Sequence, residues 1–229
     1  MNAAQIEPFL IDLQEERSAQ LLSEFLNSNC LIIAIPPRVK HNNNFKEQIL
    51  RLIPFIESSP IQNVIFISST SVYPNTNSVI TEEHQGIPES NSGKVLLEVE
   101  ELLKGNVSFQ TTVLRLAGLY GHDRKPGRFL AGKKELANGQ GKVNLIHQTD
   151  CIEIISLIIE KQVWGEVFNC CSDKHPTRSE FYTKAALTLG MEAPEFLSEE
   201  KSSFKIISNE KLKRTLNYEF IHPDPMELV

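Results

Sequence analysis

The chain has 229 residues and a formal net charge of −6, with 41% hydrophobic and 23% charged residues. These fractions are close to those of an average soluble domain, and the length suits one α/β domain with a small lobe. The negative charge argues against nucleic acid as a partner, because phosphate binding requires a positive field. We find neither an apolar run of roughly 18 residues nor a signal-peptide pattern, so we expect a cytoplasmic protein without membrane contact.

Apolar periodicity and turn residues predict alternating helices and strands. In chain order these are a helix at 15–26, a strand at 30–35, a helix at 45–53, a strand from residue 64, a helix at 94–104, a strand at 109–117, a helix at 128–138, a strand at 143–146, a helix at 150–160, a strand at 166–171 and helices at 177–190 and 208–216. Asp150 with Glu153, and Thr177 with Glu180, have the spacing of helix capping boxes, so Asp150 is predicted to cap its helix. The alternation indicates a mostly parallel sheet with crossover helices.

The segment 64–73, VIFISSTSVY, carries the strongest local signal. A short β-branched run indicates a strand buried on both faces, and it leads directly into four hydroxyl residues, Ser68, Ser69, Thr70 and Ser71. Open α/β sheets bind their ligands at the carboxyl ends of the strands. The hydroxyl cluster is therefore a candidate ligand-binding edge.

The cysteines and histidines predict neither disulfides nor a metal site. Cys30, Cys151, Cys170 and Cys171 form no C-x-x-C pair, so we expect buried thiols in a reducing compartment. The six histidines show no HExxH or other metal-ligand spacing, so no metal is expected.

Seven segments together resemble the extended short-chain dehydrogenase/reductases, the NAD-dependent epimerase/dehydratase family, in an atypical branch. They are LIIAIPPR at 31–38, VIFISSTSVY at 64–73, SGKVLLEVEELL at 92–103, VLRLAGLYG at 113–121, NLIHQTD at 144–150, EVFNCCSDKHPTRSEF at 166–181 and ISNEKLKRTLNYEF at 207–220. The resemblance implies an α/β fold with an incomplete doubly wound, Rossmann-like parallel sheet. Residues 1–229 would form one NAD(P)-binding domain without its first βαβ portion, to which 122–142 and 172–229 contribute a substrate lobe.

The resemblance also implies roles for individual residues. Ser69 and Ser92 fall on catalytic positions, and the cofactor would be NAD or NADP. Cofactor-binding positions are Ala34, Pro36, Pro37, Ser68, Arg115, Gly118 and Tyr120, and substrate-binding positions are Thr70, Arg128, Asn144 and His147. Structural interpretations stay open for several of them: Ser69 can cap the strand end, Tyr120 can pack as core, and His147 can be a hydrogen-bonded structural histidine.

The family's catalytic tyrosine and lysine have no counterpart in this sequence. In the resembled family a tyrosine hydroxyl moves the proton while hydride passes to or from nicotinamide, and a nearby lysine lowers the tyrosine pKa. The tyrosine position is Ser92 and the lysine position is Leu96. None of the four tyrosines is followed by lysine four residues later, and Lys94, two residues after Ser92, points to another side of a helix.

The family's glycine-rich phosphate loop is also missing. The eleven glycines begin at Gly86, and no GxGxxG or GxxGxxG occurs. By alignment, 6–13 (IEPFLIDL) resembles the family's third strand, so the strand at 30–35 is predicted to be an exposed apolar edge. Our hypothesis from the sequence is a truncated reading frame or a degenerate family member.

The sequence therefore predicts an NAD(P)-dependent oxidoreductase- or epimerase-like protein with impaired or atypical catalysis. Its substrate would be a small polar molecule, such as a nucleotide-sugar, and a homodimer is a possible assembly. The alternative is a non-catalytic binding or regulatory protein derived from the same fold.

Overall fold

The computed structural model describes residues 6–13, 19–37, 45–198 and 202–228. Its elements are α1 (Ala19–Phe25), β1 (Cys30–Ile33), α2 (Phe45–Glu57), β2 (Asn63–Ser69), β3 (Val79–Ile80), α3 (Asn91–Lys104), β4 (Gln110–Leu116), β5 (Gly118–Tyr120), α4 (Gly127–Leu130), β6 (Leu145–His147), α5 (Gln148–Lys161), β7 (Val167–Cys170), α6 (Arg178–Thr188), β8 (Ile206–Ile207) and α7 (Glu210–Leu216). Two short 3₁₀ turns cover Thr70–Val72 and Pro225–Leu228.

A four-stranded sheet with the order β1-β2-β4-β7 forms the centre, and all three strand pairs are parallel. This confirms the predicted α/β class. The middle strands are buried on both faces: Val64, Ile65 and Phe66 of β2 are fully inaccessible. Helices α2 and α3 cover the sheet with apolar stripes that include Ile49 and Val99, both fully inaccessible. Apolar burial of this kind contributes about 1.5–3 kcal/mol per large side chain.

The edge strand β1 is apolar and open on one side among the described residues, as predicted. Ile32 of β1 and Ile35 just beyond it are each 43% exposed. The prediction of a strand at 6–13 is wrong, because no strand forms there. Ile11 and Leu13 instead pack partly against the main core. A strand requires a hydrogen-bonding neighbour, and no strand of the described chain pairs with this segment.

Two further sequence predictions are corrected. The helix predicted at 128–138 is only the single turn α4. Leu136 does not continue the helix, because it forms a parallel β-bridge with Phe196. Asp150 is not the cap of α5: the His147 ring caps it by accepting the Thr149 N–H at 3.2 Å. The Thr177 and Glu180 capping box is confirmed at the start of α6.

Two small parallel sheets, β5-β6 and β3-β8, lie outside the central sheet. A separate small core of Tyr120, Leu145 and Phe181 lies beside β5 and β6. This region includes much of the predicted substrate lobe, whose boundaries stay a prediction. The four cysteines are free, and three of them are buried. Among the described residues, no helix is both long and apolar enough to cross a membrane.

Candidate functional site

The carboxyl ends of β1, β2 and β4 lie side by side at one edge of the sheet. Ile33 pairs with Phe66, and Ser69 pairs with Leu116. The predicted cofactor positions Ala34 and Pro36 follow β1 and are exposed. Parallel strands direct their carboxyl-end loops to the same side, where α/β folds hold ligands. This edge is the candidate site.

Ser69 lies at the end of β2 and is half-buried. Its Oγ accepts a hydrogen bond from the Ser71 N–H at 3.1 Å, so it caps the following turn. A serine hydroxyl has one donor in addition to its acceptor lone pairs. Ser69 therefore has the capping role that its structural interpretation assigned to it. Its hydroxyl proton remains available to donate a hydrogen bond to a substrate oxygen.

Ser92, the second predicted catalytic residue, lies in the first turn of α3. The Oγ atoms of Ser92 and Ser90 are 3.2 Å apart, and Ser90 caps the helix through the Gly93 N–H. A Cβ on Gly93 would lie only 2.2 Å from the Ser71 carbonyl oxygen. Glycine thus lets the start of α3 press against the turn after Ser69, and the two predicted catalytic segments meet.

The position of the family's lysine is part of the core. Leu96 is 3% exposed and packs in the main apolar cluster, one helical turn after Ser92. Lys94 is exposed on another side of α3. Neither a phenol nor an ammonium group therefore occupies the family's acid–base position in α3.

A buried ion pair lies beneath this edge and was missed by the sequence analysis. Arg115 of β4 donates from Nη2 to Glu100 at 2.6 Å, and its Nε also reaches both carboxylate oxygens. Glu100 is fully inaccessible and also accepts a hydrogen bond from Ser68. The signal in the sequence was a glutamate one turn after Leu96, on the helix face that also carries Val99.

The network continues to Tyr73 and Asn169. Arg115 Nη1 donates to the Tyr73 hydroxyl at 2.6 Å, and that hydroxyl donates to Asn169 Oδ1 at 2.8 Å. Ser68 and Arg115, predicted to bind the cofactor, thus direct their polar atoms to protein partners. The structure gives both side chains a role in holding β2, β4 and α3 together.

Burial raises the pKa of Tyr73 to about 12, although the Arg115 guanidinium opposes the rise. The folded state therefore holds this proton more tightly than the unfolded chain, whose tyrosine pKa is about 10. The resulting stabilisation is complete below pH 10 and is lost as the pH rises towards about 12. We expect Tyr73→Phe to flatten the decline of the unfolding free energy across that window, measured by urea titration at several pH values. Parallel profiles for the variant and the wild type would contradict the shift.

The remaining predicted positions divide into buried and accessible ones. Tyr120 is 1% exposed and packs on Phe181, as its core interpretation requires, while Gly118 is exposed. Thr70 is buried in the turn after β2, and Arg128 is exposed on α4.

Asn144 holds the C-terminal segment through its side-chain amide. It donates to the Lys205 carbonyl at 2.9 Å and accepts the Ile207 N–H at 2.9 Å. His147 is 6% exposed and contacts the rings of Tyr120, His122 and His222. Both side chains therefore position the C-terminal region, whatever else they bind.

The described residues do not fit the pyrophosphate of a dinucleotide. Such a group is normally held by backbone N–H donors of a glycine-rich loop at a helix N-terminus. Pro36 and Pro37, which follow β1, have no N–H, and the first glycine in the sequence is Gly86. Among the described residues, this edge thus offers surfaces for a small polar ligand but no phosphate cradle.

Comparison of the sequence with known proteins identifies a relative but no family model. No protein-family model matches the sequence. Protein YeeZ of Escherichia coli K12 is 33% identical over 226 residues, which cover 96% of this chain and 82% of that protein.

Two solved structures confirm the Rossmann-like fold. UDP-glucuronic acid 4-epimerase from Bacillus cereus in complex with NAD gives a TM-score of 0.75 at 22% identity, covering 94% of this chain and 76% of that one. A short-chain dehydrogenase/reductase superfamily protein from Agrobacterium tumefaciens with bound NAD gives 0.75 at 18% identity, covering 98% and 84%. At these identities the likeness establishes the fold alone.

Proposed function

The chain belongs to the family of protein YeeZ and has the fold of the extended short-chain dehydrogenase/reductases, and on that premise we propose that it is an NAD(P)-dependent oxidoreductase- or epimerase-like protein. Its substrate would be a small polar, nucleotide-sugar-like molecule. The observation that carries the proposal is the shared edge of β1, β2 and β4, with the Ser69 hydroxyl at its centre. Structural neighbours with this fold were determined with NAD.

Catalysis in this proposal is atypical. Ser69 would donate its hydroxyl proton in a hydrogen bond to a substrate oxygen, while the Ser71 N–H fixes the Oγ position. Ser92 is a far weaker acid than the phenol of the family, and Leu96 supplies no charge to assist it. Positioned acid–base groups contribute about 10²–10⁴ in rate, so we expect slow turnover. Dinucleotide binding would further require a phosphate cradle from residues other than those that follow β1.

A thermal-shift measurement with NAD, NADP and their reduced forms tests this proposal. A ligand at about 100 times its Kd stabilises the folded state by about 2.7 kcal/mol. For a chain of this size that corresponds to a rise in Tm of about 5–10 °C. We expect such a shift with at least one of the four, and not with nicotinamide alone as the matched control. No shift with any of them would exclude the oxidoreductase proposal for this chain.

The second candidate is a non-catalytic binding protein that uses the same edge. Leu96 favours it, because an apolar core residue occupies the lysine position and leaves no obvious route for the proton. The two candidates differ in the turnover of nucleotide-sugars with the dinucleotide that gives the thermal shift; net oxidation or reduction is followed at 340 nm, and epimerisation by separation of the sugar products. Turnover that falls in Ser69→Ala while the shift is retained supports the enzyme. A retained shift without turnover in the wild type supports the binding protein.

A further inference from the structure

A cavity separate from the sheet edge lies between the loop after β5, the end of α6 and His147. Its volume is about 400 Å³. The wall includes two imidazoles, two cationic side chains and two larger non-charged side chains, namely His122, His147, Arg124, Lys125, Tyr120 and Leu189. The described residues that line it include no carboxylate. The cavity therefore combines a positive side with a mainly apolar wall.

This cavity is distinct from the edge formed by β1, β2 and β4. In the β5-β6 pair, Gly118 is opposite Leu145, whereas Tyr120 is opposite His147. Gly118 begins β5 only two residues after β4 ends at the sheet edge. The cavity is lined by residues from the other end of the pair, Tyr120 and His147, and does not include Gly118 or Asn144. An inference about the cavity therefore stands independently of cofactor binding.

His147 gives the cavity a hydrogen-bond donor on a largely buried ring. The ring Nδ1 accepts the Thr149 N–H at 3.2 Å, so the neutral imidazole carries its proton on Nε2. Nε2 lies against Gly121, where an added Cβ would approach it to 2.1 Å. Gly121 also lines the cavity and has a φ of +106°, which a side chain rarely adopts. The Nε2–H makes no hydrogen bond to any described residue, although the side chain is only 6% exposed.

Burial and the neighbouring charges set the pKa of His147. Burial lowers its pKa, and His222 and His122 lower it further, whereas Asp150 of α5 opposes them. The ring centroid of His222 is 3.9 Å from that of His147. Arg124 and Lys125 face the cavity from the loop. Burial raises the pKa of the neighbouring Tyr120, and the charges of Asp224 and Glu227 in the C-terminal segment contribute to that rise.

We propose that this cavity binds a small organic oxyanion, a phosphate or a carboxylate, through His147 Nε2–H, Arg124 and Lys125. Guanidinium and ammonium groups favour such anions, and an imidazole N–H without a partner fixes one oxygen. The side chain of Leu189 receives the organic part of the ligand. Binding raises the His147 pKa, because the anion stabilises the imidazolium.

Isothermal titration of the full chain tests the proposal with phenyl phosphate, benzoate, inorganic phosphate and, as the uncharged control, phenol. We expect phenyl phosphate or benzoate to bind, and phenol to bind at least about tenfold more weakly. The stronger of the two anions identifies the class. In Arg124→Gln/Lys125→Gln, affinity should fall by about tenfold or more, whereas the exposed Lys94→Gln leaves it unchanged. These side chains are exposed, so both variants are expected to fold.

Proton NMR of the His147 ring supplies the second readout. We expect its pKa to rise when the bound anion is present, and affinity to increase as the pH falls through the imidazole range. The proposal is overturned if none of the anions binds, if phenol binds equally well, or if the double variant retains full affinity. None of these outcomes depends on whether NAD gives a thermal shift. The oxyanion proposal and the proposed NAD(P)-dependent function can therefore fail independently of each other.

Discussion

Arg115→Met is expected to lower the free energy of unfolding by about 3–5 kcal/mol, because it leaves the Glu100 carboxylate buried without its cation. Glu100 is fully inaccessible and Arg115 is 5% exposed, so water cannot replace the lost partner without opening the core. The Tyr73 hydroxyl and the Glu82 carbonyl also lose the Nη1 donor. Urea titration monitored by circular dichroism gives the change directly.

The matched control is Lys46→Met, which removes a surface ion pair with Glu98 at 2.7 Å. The distance resembles that of the buried pair, but the two side chains are 42% and 54% exposed, so little change in the free energy of unfolding is expected. The double variant Arg115→Met/Glu100→Leu should recover much of the lost stability, because no uncompensated charge remains. Equal losses in the buried single variant and the surface control would show that burial does not govern this pair.

The sequence predicts the central sheet well because its signals are local. The β-branched run of β2 and the hydroxyl residues after it are contiguous, and they form a buried strand followed by a turn. The capping box of α6 is equally local, since Thr177 and Glu180 are three residues apart. Both of these local patterns are retained in the folded chain.

The polar partners of the candidate site could not be predicted in the same way, because they are distant in sequence. Tyr73 and Asn169 are 96 residues apart, and Asn144 meets Lys205 across 61 residues. A pattern around Arg115 does not reveal whether its guanidinium faces a ligand or a helix. Only the glutamate on the buried face of α3 hinted at the ion pair.

Asp150 is an instructive case of a local pattern overridden by tertiary contacts. Its spacing from Glu153 is that of a capping box, yet the carboxylate lies in the first turn of α5 and is fully inaccessible. It accepts hydrogen bonds from the Tyr218 hydroxyl at 2.6 Å, the Ile221 N–H at 2.8 Å and the His222 N–H at 3.2 Å. The acceptor predicted for its own helix thus holds the C-terminal segment.

Asp150→Ala is therefore expected to destabilise the protein by about 3–5 kcal/mol, since it leaves one buried and two partly buried donors without an acceptor. The loss should be concentrated in the C-terminal segment, with faster hydrogen exchange of the Ile221 and His222 amides and earlier proteolysis after Tyr218. Asp150→Asn retains one acceptor oxygen, so its free energy of unfolding should lie between those of Asp150→Ala and the wild type.

Glu160→Gln is the matched control, because it removes a carboxylate from the exposed side of the same helix. It should leave both the unfolding free energy and the exchange of the C-terminal amides unchanged. If Asp150→Ala weakened the whole fold without accelerating exchange at Ile221, the carboxylate would act through α5 rather than through the C-terminal segment. The same segment carries His222, whose ring contacts that of His147, so releasing the segment should also expose the His147 ring.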